Sequence, residues 1–162
     1  MNRTRTTNPL LLTGLVMLLF TLLAGCGGPS RQVRGEAPLV DLDGVGLLEE
    51  RLMLDLALRN VNDTRLEIAA LTLFLDFDGE RVAELRDSPR SLGIAPRGRE
   101  VLRIEVPASP ESTELLRQLA DGERTSLPWQ LELNLESGRR QSPTPIARGF
   151  LHAVPGQPNR FR

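Results

Sequence analysis

Apolar residues in this chain fall on alternate positions over long stretches, the period of a β-strand with one face buried. Leu52, Leu54, Leu56 and Leu58 alternate with Met53, Asp55, Ala57 and Arg59, which directs the leucines to a core and the charged residues to water. Asn60, Val61, Asn62 and Asp63 end that strand with turn-forming side chains. Beyond them Leu66 and Ile68 hold one phase, and Leu71, Leu73, Leu75 and Phe77 hold the opposite one. The change falls at Ala69 and Ala70, where it predicts a β-bulge. Asp78-Gly79 predicts a tight hairpin turn, because both residue types tolerate positive φ, and residues 81–85 return as a strand. A shorter strand near residues 91–94 precedes the turn Pro96-Arg97-Gly98. Leu102, Ile104 and Val106 then alternate with Val101, Arg103 and Glu105, and Trp129, Leu131, Leu133 and Leu135 with Gln130, Glu132, Asn134 and Glu136. A last strand is expected from about residue 146 to residue 153. The polar residues 154–162, with Gly156 and Pro158, are expected to form a loose tail.

One helix interrupts the strands. Ser109 can cap its free amides, Pro110 suits the first helical position, Glu111 and Glu114 complement the positive end, and Leu115, Leu116 and Leu119 form one apolar face. Gly122 closes it. Six or seven short strands with regular turns and a single helix predict a mainly β protein, an antiparallel β-sandwich; a small α+β layer fold is the alternative.

The N-terminal residues follow a different rule. Arg3 and Arg5 precede an apolar run over residues 9–23, broken by Thr13, Gly14 and Thr21 and followed by small residues, as in a secretory signal. The run of about 15 residues is shorter than the roughly 20 needed to cross a bilayer core. The chain's single cysteine, Cys26, ends this segment. A buried structural thiol is the competing reading, but Leu23-Ala24-Gly25-Cys26 resembles the bacterial lipobox. That resemblance implies cleavage between Gly25 and Cys26, a diacylglyceryl group on the Cys26 sulfur and an acyl group on its new amino terminus, with no other cofactor. It also implies attachment to a membrane. Gly27 stands where an aspartate would favour the inner membrane, so the outer membrane, facing the periplasm, is the expected place. Residues 1–25 are then the signal and residues 26–38, rich in Gly, Pro and charge, a flexible linker. Roughly 125 residues remain, the size of one domain.

The domain residues carry a further resemblance. Leu47-Leu48-Glu49-Glu50-Arg51-Leu52, the stretch Leu56-Ala57-Leu58-Arg59-Asn60-Val61-Asn62-Asp63, Leu66-Glu67-Ile68, and the run from Ala70-Leu71 to Asp78-Gly79 resemble the water-stress and hypersensitive-response (WHy) domain of the group 2 late-embryogenesis-abundant family (LEA_2). Ile94-Ala95-Pro96, Leu115-Leu116-Arg117-Gln118-Leu119, Leu127-Pro128-Trp129 and Arg148-Gly149-Phe150-Leu151 fit the same pattern, which covers about residues 39–153. The family has Asn-Pro-Asn where this chain has Asn60-Val61-Asn62, so the turn at Asn60, Asn62 and Asp63 rests on the two asparagines. The resemblance implies an immunoglobulin-like or fibronectin-III-like sandwich, an association with desiccation or other stress, and no catalytic residues.

Composition narrows the chemistry. All 20 basic residues are arginines, against 21 acids, and losing Arg3 and Arg5 takes the formal charge from −1 to −3. That balance, with only Arg139-Arg140 adjacent in the domain, argues against a nucleic-acid partner. His152 is the only histidine, expected as a structural or surface residue of the last strand, and no serine lies in a nucleophile elbow, so no hydrolase triad assembles. Asp76, Asp78 and Gly79, like Asp41, Asp43 and Gly44, have the opening spacing of a calcium loop. Position twelve counted from Asp76 is Asp87 rather than a glutamate, so no metal site is expected. Asn62-Asp63-Thr64 matches a glycosylation acceptor by chance. The expected activity is non-enzymatic: stress protection through envelope client proteins or membrane surfaces, or alternatively lipid binding within an envelope lipid-transport complex.

Overall fold

In the computed structural model the alternating leucines of residues 52–58 lie on β2 (Arg51–Arg59), with all four side chains fully buried. Around it the chain runs β1 (Leu39–Leu48), β3 (Leu66–Phe77), β4 (Glu80–Ile94), β5 (Arg99–Pro107), α1 (Pro110–Ala120), β6 (Leu127–Ser137), β7 (Arg140–Gln141), β8 (Ile146–Leu151), β9 (Ala153–Val154) and β10 (Gln157–Phe161). The structure describes residues 32–137, 140–141 and 145–162, without the side chains of residues 87, 90, 140 and 141.

The strands form two antiparallel sheets. The first has the order β5-β2-β1-β10-β9; the second has the order β4-β3-β6-β7, with β8 also paired to β6. Their inner faces share one core. Leu54, Leu56, Val45, Ile104 and Phe161 from the first sheet belong to the same buried cluster as Leu73, Leu75, Leu131, Leu133 and Leu151 from the second, and Leu116 and Leu119 of α1 join it. Each fully buried leucine contributes about 2 kcal/mol of transfer free energy. The leucine stripes are therefore core, and the fold is the sandwich that the alternation predicts.

Local chemistry sets the connections. Asp78 and Gly79 have φ of 53° and 87° and join Phe77 to Glu80 directly, the two-residue hairpin that needs positive φ at both positions. The β3–β4 register shifts between Ile68 and Ala70, the predicted bulge. Ser109 Oγ accepts from the Ser112 N–H at 3.1 Å to start α1, and Gly122 follows its end at φ 76°.

Four expectations are corrected. Asp41, Asp43 and Gly44 lie on β1, a strand the sequence reading did not assign, because its outward positions include Gly44 and Gly46 and its apolar alternation is broken at Asp43 by a register shift between Leu42 and Gly44. The strand near residues 81–85 and that near 91–94 are one strand, β4, made continuous by bulges against β3. The tail is not loose. Residues 153–161 form the hairpin β9–β10, β10 pairs with β1, and Phe161 is buried in the core. The last strand is also split: β8 belongs to the second sheet and β9 to the first, with His152 at the crossing. His152 and Arg162 exchange backbone hydrogen bonds of 2.7 and 2.9 Å, so the ladder continues past the break.

Candidate functional site

The three residues expected at the family turn, Asn60, Asn62 and Asp63, meet at one end of the sandwich, beside residues 33–36. Asn60 closes β2 and is fully buried; Asn62 is nearly so. The Asn60 Nδ2 donates to the carbonyls of Thr64 at 2.8 Å and Ala95 at 3.1 Å, with a longer bond to Ile94 at 3.3 Å. Its Oδ1 accepts from the Asn62 backbone N–H at 3.0 Å and from Asn62 Nδ2 at 3.1 Å. An amide side chain can serve both roles at once, which no apolar residue of the same shape can do. One side chain thereby closes the β2–β3 connection and ties it to the β4–β5 connection.

Asn62 and Asp63 hold a third segment. The Asn62 Oδ1 accepts from the Glu36 N–H at 2.9 Å, and Asn62 Nδ2 donates to the Glu36 carbonyl at 2.9 Å. The Val33 N–H donates to Asp63 Oδ2 at 2.7 Å, and the Asp63 N–H donates to the Val33 carbonyl at 2.9 Å. Residues 33–36 are thus docked by four hydrogen bonds, which corrects the expectation of a flexible linker throughout residues 26–38. Composition misled here: Gly and Pro signal a linker, and the bonds that fix this one come from residues 26 to 30 positions away.

The β4–β5 turn completes the bracket. The Gly98 N–H donates to the Ala95 carbonyl at 2.9 Å, with Pro96 and Arg97 in the central positions and Arg97 at φ 56°. This is a turn whose third position favours glycine. Arg97 is held there by its N–H on the Asn62 carbonyl at 3.1 Å and its Nε on Asp63 Oδ1 at 2.8 Å. The Arg97 guanidinium, then the Val33 amide, hold the Asp63 carboxyl below the usual carboxylate range. With its side chain engaged on Glu36 and Asn60, Asn62 is not presented as a glycosylation acceptor would be.

The other candidate residues lie apart. His152 is exposed, with Nδ1 2.9 Å from the Thr125 carbonyl, so that nitrogen carries the proton and the ring braces the loop before β6. Three of the four carboxylates in the two calcium-like runs face arginines: Asp43 pairs with Arg99, Asp76 with Arg81, and Asp78 with Arg124 at 2.8 Å, while Asp41 accepts from the Leu42 N–H at 2.9 Å. Among the described residues no three His, Cys, Asp or Glu side chains are grouped to hold a metal ion. Cys26 and Gly25 lie outside the described residues, as does Arg139, and of Arg140 only the backbone is described. Among the described residues no helix is long and apolar enough to cross a membrane.

Sequence reasoning missed a second polar cluster, on the outer face of the first sheet. Asp55 of β2, 8% exposed, accepts from Arg103 Nε at 2.7 Å and Nη2 at 3.1 Å, and from Arg160 Nη2 at 3.2 Å. The Arg103 hydrogen bonds lower the Asp55 pKa; burial opposes them and the Arg160 charge adds to them. Arg103 could have been found from the β2–β5 register, but Arg160 sits in the segment read as a tail.

Comparison with known proteins places the chain. A family model described as late embryogenesis abundant protein matches residues 55–145. Among solved structures, a protein from Arabidopsis thaliana superposes with a TM-score of 0.49 at 13% identity, covering 83% of this chain and 94% of its own. A candidate late embryogenesis abundant (LEA) protein gives 0.45 at 13% identity, covering 91% and 87%, and a protein from Archaeoglobus fulgidus 0.45 at 12%, covering 71% and 95%. A search of curated proteins gives no match. The family match spans more than half of the 162 residues and includes Asn60, Asn62 and Asp63: the chain belongs to the late embryogenesis abundant protein family.

Proposed function

We propose that this is a non-enzymatic lipoprotein, tethered through Cys26 to the outer membrane with its sandwich in the periplasm, that acts in stress tolerance by binding envelope proteins or membrane surfaces. The observation that carries the reading is the joining of the Leu23-Ala24-Gly25-Cys26 signal to a domain of this family in one chain. One acyl chain gives marginal membrane binding, whereas three on one cysteine give a stable anchor. The docked residues 33–36 suit such a tether, since they fix the point on the sandwich from which the chain would run on to its anchor. On the outer face of the second sheet, Ile146 and Phe150 of β8 are 55% and 63% exposed. They offer apolar contact to a client whose own apolar surface is transiently bared.

The anchor is tested by Cys26→Ser. The variant is expected to lose both metabolic acyl labelling and membrane fractionation, and a variant that stays lipid-labelled and membrane-bound refutes the tether. The protective role is tested with residues 27–162 added in substoichiometric amounts to a labile enzyme taken through freezing and drying, against an equal mass of inert protein. Preservation beyond the control supports direct shielding. No difference, with lipid co-purifying, moves the assignment to an accessory subunit of envelope lipid transport.

A further inference from the structure

The outer face of the first sheet carries a depression of about 320 Å³ between β1, β2, β5 and β10, lined in part by Asp43, Asp55, Arg103, Gln157, Arg160 and Arg162. A second hollow of about 260 Å³ shares Asp55, Arg103 and Arg160 with it. Both acids of the depression are already engaged. Asp43 pairs with Arg99. Asp55 answers two guanidiniums at once, Arg103 at 2.7 Å and Arg160 at 3.2 Å. Arg162 has no ion-pair partner among the described residues. The lining thus holds three arginines against two carboxylates, one of which is already paired with Arg99 outside it, a local positive excess on a chain whose formal charge is −1.

The guanidiniums are both placed and accessible. Arg160 sits in register opposite Gly46, which presents no side chain over the hollow, and the Arg162 backbone is pinned to His152. A guanidinium has five N–H donors; Arg103 commits two and Arg160 one to Asp55. The side chains of Arg103 and Arg160 remain 60% and 53% exposed. Buried Asp55 therefore acts as a positioning residue that holds two arginines side by side with donors turned outward. Planar forks arranged in this way match the oxygens of a phosphate.

We infer that this depression binds a phosphate-type oxyanion, free or as the phosphodiester of a lipid headgroup, across Arg103, Arg160 and Arg162. The inference is independent of the anchor at Cys26. Its test follows the arginine side-chain N–H resonances of the full chain in neutral-detergent micelles at low ionic strength. One arm titrates inorganic phosphate and the other adds phosphatidylglycerol to the micelles. Saturable shifts of Arg103, Arg160 and Arg162 in the first arm alone assign a free oxyanion, and in the second a headgroup; both support the site. Arg160→Gln with Arg162→Gln, which leaves the paired Arg103 and Asp55 in place, is expected to weaken binding at least tenfold. Arg148→Gln on the opposite sheet is expected to leave it unchanged. Should the double variant fail to fold, Arg162→Gln alone, which does not touch Asp55, is expected to weaken binding at least threefold. No saturable shift in either arm overturns the inference, as does equal weakening by Arg148→Gln.

Discussion

Replacing Asn60 by leucine removes every side-chain hydrogen bond of the bracket's central residue in one change. Both side chains branch at Cγ into two heavy atoms, but leucine puts bulkier methyls where asparagine has an oxygen and an amide, so any overpacking adds to the loss of hydrogen bonds. Asn60 is fully buried, and without its amide the Asn62 N–H and the carbonyl of Thr64 lose their partners, while the Ala95 carbonyl keeps the Gly98 N–H. A buried polar group left unpaired costs about 1–3 kcal/mol. Thr64 is an exposed residue whose carbonyl recovers some hydration, so the sum over the two groups is about 2–4 kcal/mol, against the roughly 5–15 kcal/mol that holds a domain folded. Asn62→Ala is the contrasting change. It frees the amide and carbonyl of Glu36, an exposed residue, and is expected to cost about 1–2 kcal/mol while speeding tryptic cleavage after Arg34. Urea unfolding measures both: the midpoint is expected to fall with the slope unchanged, because the surface exposed on unfolding is the same. If Asn60→Leu costs no more than Asn62→Ala, the bracket is not a buried network and the reasoning fails.

Three further changes test other parts of the fold. Gly149 lies opposite Trp129, and a Cβ there would sit 2.8 Å from Trp129 Cζ2. Gly149→Ala is therefore expected to cost about 1–3 kcal/mol by overpacking and to alter the emission of the chain's one tryptophan; unchanged emission and stability would count against the packing. Phe161→Ala is expected to cost about 3–5 kcal/mol as a core truncation, where a loose tail would give less than about 0.5 kcal/mol. The carboxyls of Asp55 and Asp63 are held below the usual 3.8. Their stabilising contribution is thus complete above that pH and fades as pH falls through their lowered folded-state values, where the unfolded chain binds more protons. Denaturant midpoints between pH 6 and pH 2 are expected to drop at the acid end, and Asp55→Asn to flatten part of that drop; a variant as acid-sensitive as the parent refutes the assignment.

What the sequence revealed was the part of the fold written in local patterns. The leucines of β2, the phase change at Ala69 and Ala70, the Asp78-Gly79 turn and the Ser109-Pro110 helix start each depend on residues within a few positions of one another. β10 does not. Gln157, Pro158, Asn159 and Arg160 read as tail, and the partner that makes them a strand is the edge of β1, more than a hundred residues earlier. The asparagine turn was visible as a turn, but its grip on Val33 and Glu36 was not, because no local rule sets which backbone a side-chain amide will reach. Asp55 read as the solvated face of an amphipathic strand, and only the arrival of Arg160 from β10 makes it a buried junction of two charges.

The docking of residues 33–36 also sets a length. Under the tether proposed at Cys26, the seven residues to Val33 can reach at most about 25 Å, whereas release of the bracket moves the first fixed point to Leu39 and raises that limit to about 45 Å. The local concentration of a tethered body falls roughly as the −3/2 power of leash length, so undocking dilutes the sandwich near its attachment point by about 2.5-fold. Under that proposal Asn62 and Asp63 act as a stop on a cord, deciding how far from its point of attachment the domain can search.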